Sequence, residues 1–232
     1  MVPWLSHQPI FPSAQEALTE SDGAAGLLAA GGMLNAQWLL AAYKKGIFPW
    51  YSDDQPILWW CPNPRMVLYT DEFKRSSNFK KTLRKTSNNP DWQVHMDHNF
   101  AAVMRACAQP RQAQVGTWIT EEIFLAYSEL ASIGCAHSVE TYYQNELVGG
   151  LYGVAIGRMF YGESMFCKKT DASKIALSYL VEFLQQNDVE MIDCQQNTSH
   201  LASLGAREIS RDTFLKHIES ACNQSPIKNW NF

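Results

Sequence analysis

Three runs decide the fold: Ser138-Val-Glu-Thr-Tyr-Tyr143, Leu147-Val-Gly-Gly-Leu-Tyr-Gly-Val-Ala-Ile156 and Met159-Phe-Tyr-Gly-Glu-Ser-Met-Phe166. They are separated by the turn signals Gln144-Asn145 and Gly157-Arg158. β-branched and aromatic residues bounded by such pairs read as consecutive strands. A helix is expected from about Asp171 to Gln186, with Leu177, Leu180, Val181 and Leu184 on one face. Met191-Ile-Asp-Cys194 reads as a short apolar strand, Ser199 to Leu204 as a helical turn or two, Arg207 to Ile209 as a last strand and Arg211 to Ala221 as a last helix. Strand, strand, strand, helix, strand, helix, strand describes an α/β layer crossed by helices.

Upstream of this stretch, Asn35 to Lys45 predicts a helix with Asn35 as N-cap and Gly46 as its stop. Ile47 to Tyr51 and Ile57 to Arg65 are crowded with Pro and Trp, so they form no single regular element and read as a rigid irregular wall. A domain boundary is expected just after it, giving a small N-terminal domain over 1–68 and a larger domain over 69–232. Further helices are expected at Phe73–Lys85, Asp97–Cys107 and Glu121–Gly134, the last with Ile123, Leu125, Ala126, Leu130 and Ile133 in its periodic stripe. Gly149-Gly-Leu-Tyr-Gly153 lies in a strand pattern and marks close backbone approach rather than a phosphate cradle.

With 232 residues, the chain can bury roughly 70–75% of its unfolded surface without a disulfide or metal. Its six cysteines are scattered, with no C-x-x-C pair, which argues against a zinc site and a disulfide framework and fits reduced thiols in a cytoplasm. No stretch reaches the ~20 apolar residues that span a bilayer, and the first ten residues lack the pattern of a secretory signal. A soluble cytoplasmic protein is expected. A net charge of −4 excludes a protein that binds nucleic acid over its whole surface, but not a local patch. Such a patch is expected at Lys74, Arg75, Lys80, Lys81, Arg84 and Lys85: six of the nineteen basic residues lie within twelve positions that contain no acid. Like charges three to four apart repel, and a phosphate backbone would supply the counter-charge.

Two carboxylates have the setting of catalytic groups. Glu163 sits inside a strand beside Gly162. Asp193 ends an apolar strand, flanked by Ile192 and Cys194. Desolvation there would raise its pKa toward general-base duty, although an acid paired with a nearby Arg would look the same in sequence. Gln195, two residues on, shares its face in an extended chain. A Cys194–His200 thiol-and-base pair is disfavoured, because Cys194 should point to the opposite side of the strand from Asp193.

Four segments together resemble the leucyl/phenylalanyl-tRNA–protein transferases. They are Gly46-Ile-Phe-Pro-Trp-Tyr-Ser52 with Ile57-Leu-Trp-Trp-Cys-Pro-Asn-Pro-Arg65; Gly116-Thr-Trp-Ile119; Val148-Gly-Gly-Leu-Tyr-Gly-Val154 with Gly162-Glu-Ser-Met-Phe166; and Ile192-Asp-Cys-Gln195 with Ala202-Ser-Leu-Gly-Ala206. The resemblance implies an α/β fold in which a small irregular N-terminal domain packs on a domain like the GCN5-related N-acetyltransferases, with a central mixed sheet flanked by helices. It also implies transfer of Leu or Phe, and less well Met, from aminoacyl-tRNA to the N-terminal Arg or Lys of acceptor proteins, marking them for degradation.

Such a transfer is aminolysis of an ester. It needs positioning and the management of one proton, and neither a metal nor an organic cofactor. Asp193, with Gln195, is expected to accept the amine's proton, and Glu163 to orient the amine or bind the acceptor's basic side chain. Leu151, Gly162, Met165, Ile192 and Cys194 are expected to line an apolar pocket, with Leu151 where family members commonly carry Met. Trp50 and Trp118 are placed to stack on the terminal adenosine. A monomer is expected. Acetyl-CoA chemistry is disfavoured, because Lys168-Lys-Thr-Asp-Ala-Ser-Lys174 lacks the glycines of a pyrophosphate loop.

Overall fold

The structure is a computed structural model that describes residues 2–109 and 118–232. Gly116 and Thr117 of the Gly116–Ile119 segment lie outside the described residues. In chain order the elements are β1 (Trp4–Leu5), β2 (Leu27–Gly31), α1 (Ala36–Tyr43), β3 (Phe48–Pro49), β4 (Leu58–Trp60), β5 (Arg65–Tyr69), α2 (Ser77–Ser87), β6 (Trp92–Met96) and α3 (Phe100–Cys107). There follow α4 (Glu121–Ser132), β7 (Ala136–Tyr143), β8 (Glu146–Ile156), β9 (Met159–Cys167), α5 (Ala172–Gln186), β10 (Met191–Gln195), α6 (Ser199–Ser203), β11 (Arg207–Ile209) and α7 (Arg211–Ala221).

Two sheets organise them. A small sheet in the order β1-β2-β4-β3 carries the N-terminal lobe, and a seven-stranded sheet runs β11-β5-β10-β9-β8-β7-β6. All neighbours in the larger sheet are antiparallel except β9 and β10, which are parallel and joined through α5. α5 packs on one face of the sheet, its Leu177, Leu180 and Val181 meeting Leu151, Phe160 and Ile192. The other face meets α3, α4, α7 and the N-terminal lobe in a continuous core that includes Trp38, Tyr43, Tyr127, Tyr152 and Phe214. This is the mixed α/β architecture expected from the order of elements.

Several expectations change in detail. The boundary expected near Leu68 falls inside β5, which pairs with β10 and β11; the chain leaves the small sheet after Trp60. The wall of Trp and Pro is not wholly irregular, because β3 and β4 pair within it, Phe48 facing Trp60. The edge strand β6 was not among the expected elements, although Trp92, Val94 and Met96 alternate with Gln93 and His95. α3 begins at Phe100, not Asp97: Asn99 caps it by accepting from the Ala102 amide at 3.0 Å. Asp97 instead binds the ring of His137 at 2.6 Å and the Ser138 amide at 2.8 Å. In α4 the buried stripe is Ile123, Ala126, Tyr127 and Leu130, while Leu125 and Ile133 are exposed.

The glycines of β8 mark close approach, as expected. A Cβ at Gly149 would stand 2.5 Å from the Cβ of Ala172 and 2.8 Å from the Ser173 nitrogen, at the start of α5. Gly149→Ala should therefore push α5 off the sheet and destabilise by about 1–3 kcal/mol, the usual range for overpacking. Urea unfolding of the two proteins measures it, and equal midpoints would contradict this account.

Candidate active site

β9 and β10 pair side by side at only two positions, Phe160 with Ile192 and Tyr161 with Asp193. Each strand then carries an irregularity. On β9, Tyr152 of β8 faces Ser164 and Gly153 faces Gly162, so Glu163 is the extra residue of a bulge. On β10, Asp193 faces Val67 of β5 and Gln195 faces Met66, so Cys194 is extra, and Gln195 takes a left-handed φ of 59°. Bulges re-aim side chains and end pairing. Here they separate the neighbouring strands and turn Glu163 and Gln195 toward each other.

A cavity of about 470 Å³ opens at this split. Leu68, Leu151, Phe160, Met165, Leu177, Leu180, Ile192 and Leu201 give it an apolar part, and Glu163, Asp193, Gln195 and Thr198 a polar one. All ten residues expected to catalyse or to bind the substrate outside the basic patch line this cavity: Asp193, Gln195, Glu163, Trp50, Trp118, Leu151, Gly162, Met165, Ile192 and Cys194. Trp50 stands at its rim, 41% exposed, with its ring edge-on to Trp60 at 5.6 Å.

Glu163 is the centre of a half-buried hydrogen-bond cluster. Its Oε1 accepts from the Tyr43 hydroxyl at 2.6 Å and from Gln195 Nε2 at 3.1 Å; its Oε2 accepts from the Tyr127 hydroxyl at 3.0 Å. The two phenol oxygens also lie 2.5 Å apart. Three oxygen-to-oxygen contacts share two hydroxyl protons, and a protonated Glu163 would supply a third. Burial pushes this carboxyl up to about 7, against the opposing hydrogen bonds from Tyr43, Tyr127 and Gln195 and with help from the charge of Asp193. Burial also holds the Tyr43 and Tyr127 phenols well above the ordinary range, so both keep their protons.

Asp193 is paired with an arginine, the alternative that its sequence setting left open. Arg65 of β5 binds it with both arms, Nε to Oδ1 at 2.7 Å and Nη2 to Oδ2 at 2.6 Å, and neither side chain reaches solvent. The Gln195 amide adds a bond to Oδ1 at 3.0 Å. Protonating Asp193 would leave a buried guanidinium without its counter-charge, whereas the groups bonded to Glu163 are neutral donors. Arg65 is itself held between the rings of Phe48 and Phe214, its Cζ 4.8 and 4.5 Å from their centroids. Cys194 points to the α5 side, and burial raises its thiol well above the ordinary range.

Sequence reasoning missed Tyr43, Tyr127 and Arg65. The available signal was a phenol in the apolar stripe of α1 and another in that of α4, each needing an acceptor once buried.

The basic patch is reshaped. Lys74 and Arg75 precede α2, whose cap is Ser76, and only Lys80, Lys81, Arg84 and Lys85 stand on the helix. Arg75 turns to α5, where it binds Glu182 at 2.7 Å and Ser178 Oγ at 2.8 Å in a partly exposed pair. Among the described residues, no group of three or more His, Cys, Asp or Glu is placed to hold a metal, and no helix is long and apolar enough to cross a membrane.

The family model described as leucyl/phenylalanyl-tRNA protein transferase matches residues 67–219, and that of its N-terminal domain matches 32–63. The chain belongs to this family. It is 55% identical to the leucyl/phenylalanyl-tRNA–protein transferase of Paraburkholderia xenovorans, over all of this chain and 95% of that one. It is 57% identical to that of Burkholderia cenocepacia, over all of this chain and 91% of that one. It is therefore an aminoacyltransferase. Among solved structures, a GCN5-related N-acetyltransferase from Kribbella flavida aligns with TM-score 0.37 and 9% identity, over 74% of this chain and 60% of that one. The L-PGS structure from Bacillus licheniformis aligns with TM-score 0.40 and 11% identity, over 79% and 58%.

Two stability measurements test the site. A carboxyl raised from 4.5 to about 7 favours the folded state fully below 4.5 and loses that contribution as pH climbs through 7. The wild type should lose up to about 3 kcal/mol between pH 4.5 and 8 from this source, and Glu163→Gln should flatten the dependence in thermal melts. Asp193→Asn removes the counter-charge of buried Arg65 and should cost about 3–5 kcal/mol at neutral pH. A denaturation curve superimposable on the wild type's would show that the pair is not needed.

Proposed function

We propose that the protein moves Leu or Phe, and less readily Met, from aminoacyl-tRNA to the α-amine of acceptor proteins beginning with Arg or Lys, and so marks them for degradation. The observation that carries the chemistry is Glu163: a half-buried carboxyl poised near neutrality where the cavity turns from apolar to polar. The apolar part suits an aliphatic or aromatic side chain, and pockets of this kind discriminate by only about 10–200-fold per methylene, which agrees with a short list of transferred amino acids.

In the reaction the acceptor's neutral amine attacks the ester carbonyl, a C–N bond forms and the bond to the ribose oxygen breaks. Glu163 takes the amine's proton, which is returned to the ribose oxygen as it leaves. A base with a pKa near the working pH is best suited to this transfer. Gln195, fixed by its bond to Glu163, orients the amine. The Arg65–Asp193 pair is assigned to positioning, because it anchors the bulge from which Gln195 projects. Trp50 and Trp118 offer faces for the terminal adenosine, and the exposed Lys80, Lys81, Arg84 and Lys85 offer charge for the acceptor-stem phosphates.

The test supplies labelled Phe-tRNA and a protein with N-terminal Arg. Label should enter the acceptor without CoA, and a requirement for CoA would refute the reading. Because Glu163 must be deprotonated to act, the single-turnover rate should fall below pH about 7. Glu163→Gln should abolish that inflection and lose about 10²–10⁴-fold. An unchanged rate would remove Glu163 from the chemistry.

A further inference from the structure

Tyr152 is fully buried on β8 and lines the cavity, yet its hydroxyl has no hydrogen-bond partner among the described residues. Its ring meets Tyr127 edge-on at 5.9 Å and Phe100 edge-on at 5.7 Å, contacts that a phenylalanine would make equally well. Leaving a buried hydroxyl unsatisfied costs about 1–3 kcal/mol. Packing alone therefore gives no reason for an oxygen at this place.

The neighbouring phenols show what a satisfied hydroxyl does here. Tyr43 and Tyr127 both donate to Glu163 and have no proton left to offer. Tyr152 feels the same carboxylate, but its own proton is committed to nothing. Burial and Glu163 hold this phenol well above its ordinary range, so it remains a donor across the working pH. This donor has no acceptor among the described residues; its oxygen is closed off from solvent, and an ester carbonyl reaches it as the wall adjusts to the bound substrate.

We propose that Tyr152 is a catalytic residue whose hydroxyl donates a hydrogen bond to the carbonyl oxygen of the aminoacyl ester. It rests on the transfer reading above. As the amine attacks, charge collects on that oxygen, and the bond strengthens where it was weak in the ground state. A preorganised donor of this kind acts on kcat more than on binding. Substrate binding also relieves the orphaned hydroxyl, so the apo protein is less stable than its phenylalanine variant.

The experiment is Tyr152→Phe in the full-length protein. Transfer from Phe-tRNA to an Arg-initiated acceptor is measured at saturating substrates over a pH series, beside a thermal melt of the apo protein. The expected result is a fall in kcat of about 10²-fold, an unmoved pH inflection and a melting temperature equal to or above the wild type's. A wild-type kcat overturns the assignment. So does a loss accompanied by a shifted inflection, which would mean that Tyr152 acts through Glu163, or by a lowered melting temperature, which would make it structural. If the wild type itself transfers nothing, the transfer reading fails before the variant is compared.

Discussion

The buried pair of Arg65 and Asp193 is the interaction on which the rest of the site depends. It ties β5 to β10 across the sheet. The rings that sandwich the guanidinium come from β3 of the small lobe and from α7 near the C terminus. One ion pair thus joins three regions of the chain at the point where the sheet opens. Its net contribution to stability is small or even negative against an apolar substitute, since two charges have been taken from water. Its value lies in direction: a bidentate guanidinium fixes the carboxylate plane, and the carboxylate fixes the backbone at Gln195.

From that anchor the active-site geometry follows. The bulges draw β9 away from β10 after a single short run of parallel pairing, and the gap becomes the cavity. Apolar walls come from the α5 face and polar groups from the strand ends. The apolar wall that lowers the local dielectric also raises Glu163 toward 7. The apolar pocket and the raised carboxyl are therefore two consequences of one desolvated space, and a change that wets the pocket would return Glu163 toward an ordinary carboxylate.

Much of this was legible from residue order. The alternation of β7, β8 and β9, the amphipathic α5 and the apolar β10 follow from side-chain periodicity, which a single chain carries without reference to its partners. The cavity-lining set was partly legible too, since Leu151, Gly162 and Met165 lie on β8 and β9, paired across a short turn, whereas Ile192 and Cys194 reach them only through the α5 crossover. The tyrosines were not. Tyr43 lies 120 residues from Glu163 and Tyr127 lies 36 away, and nothing local distinguishes a phenol that will meet a carboxylate from one that will only fill a core. The charge run at 74–85 was legible as charge, but the pairing of Arg75 with Glu182 on another helix was not.

The sequence by itself determined the α/β class, the strands around the split and the two carboxylates that line it. Only the tertiary structure decided which of them is paired with a charge. In sequence, Asp193 between Ile and Cys is the more desolvated acid and Glu163 the less informative one. Folding gives Asp193 a guanidinium and Glu163 only neutral donors. The ionisation of a buried acid is set by the charges within a few ångströms, and those arrive from distant regions of the chain.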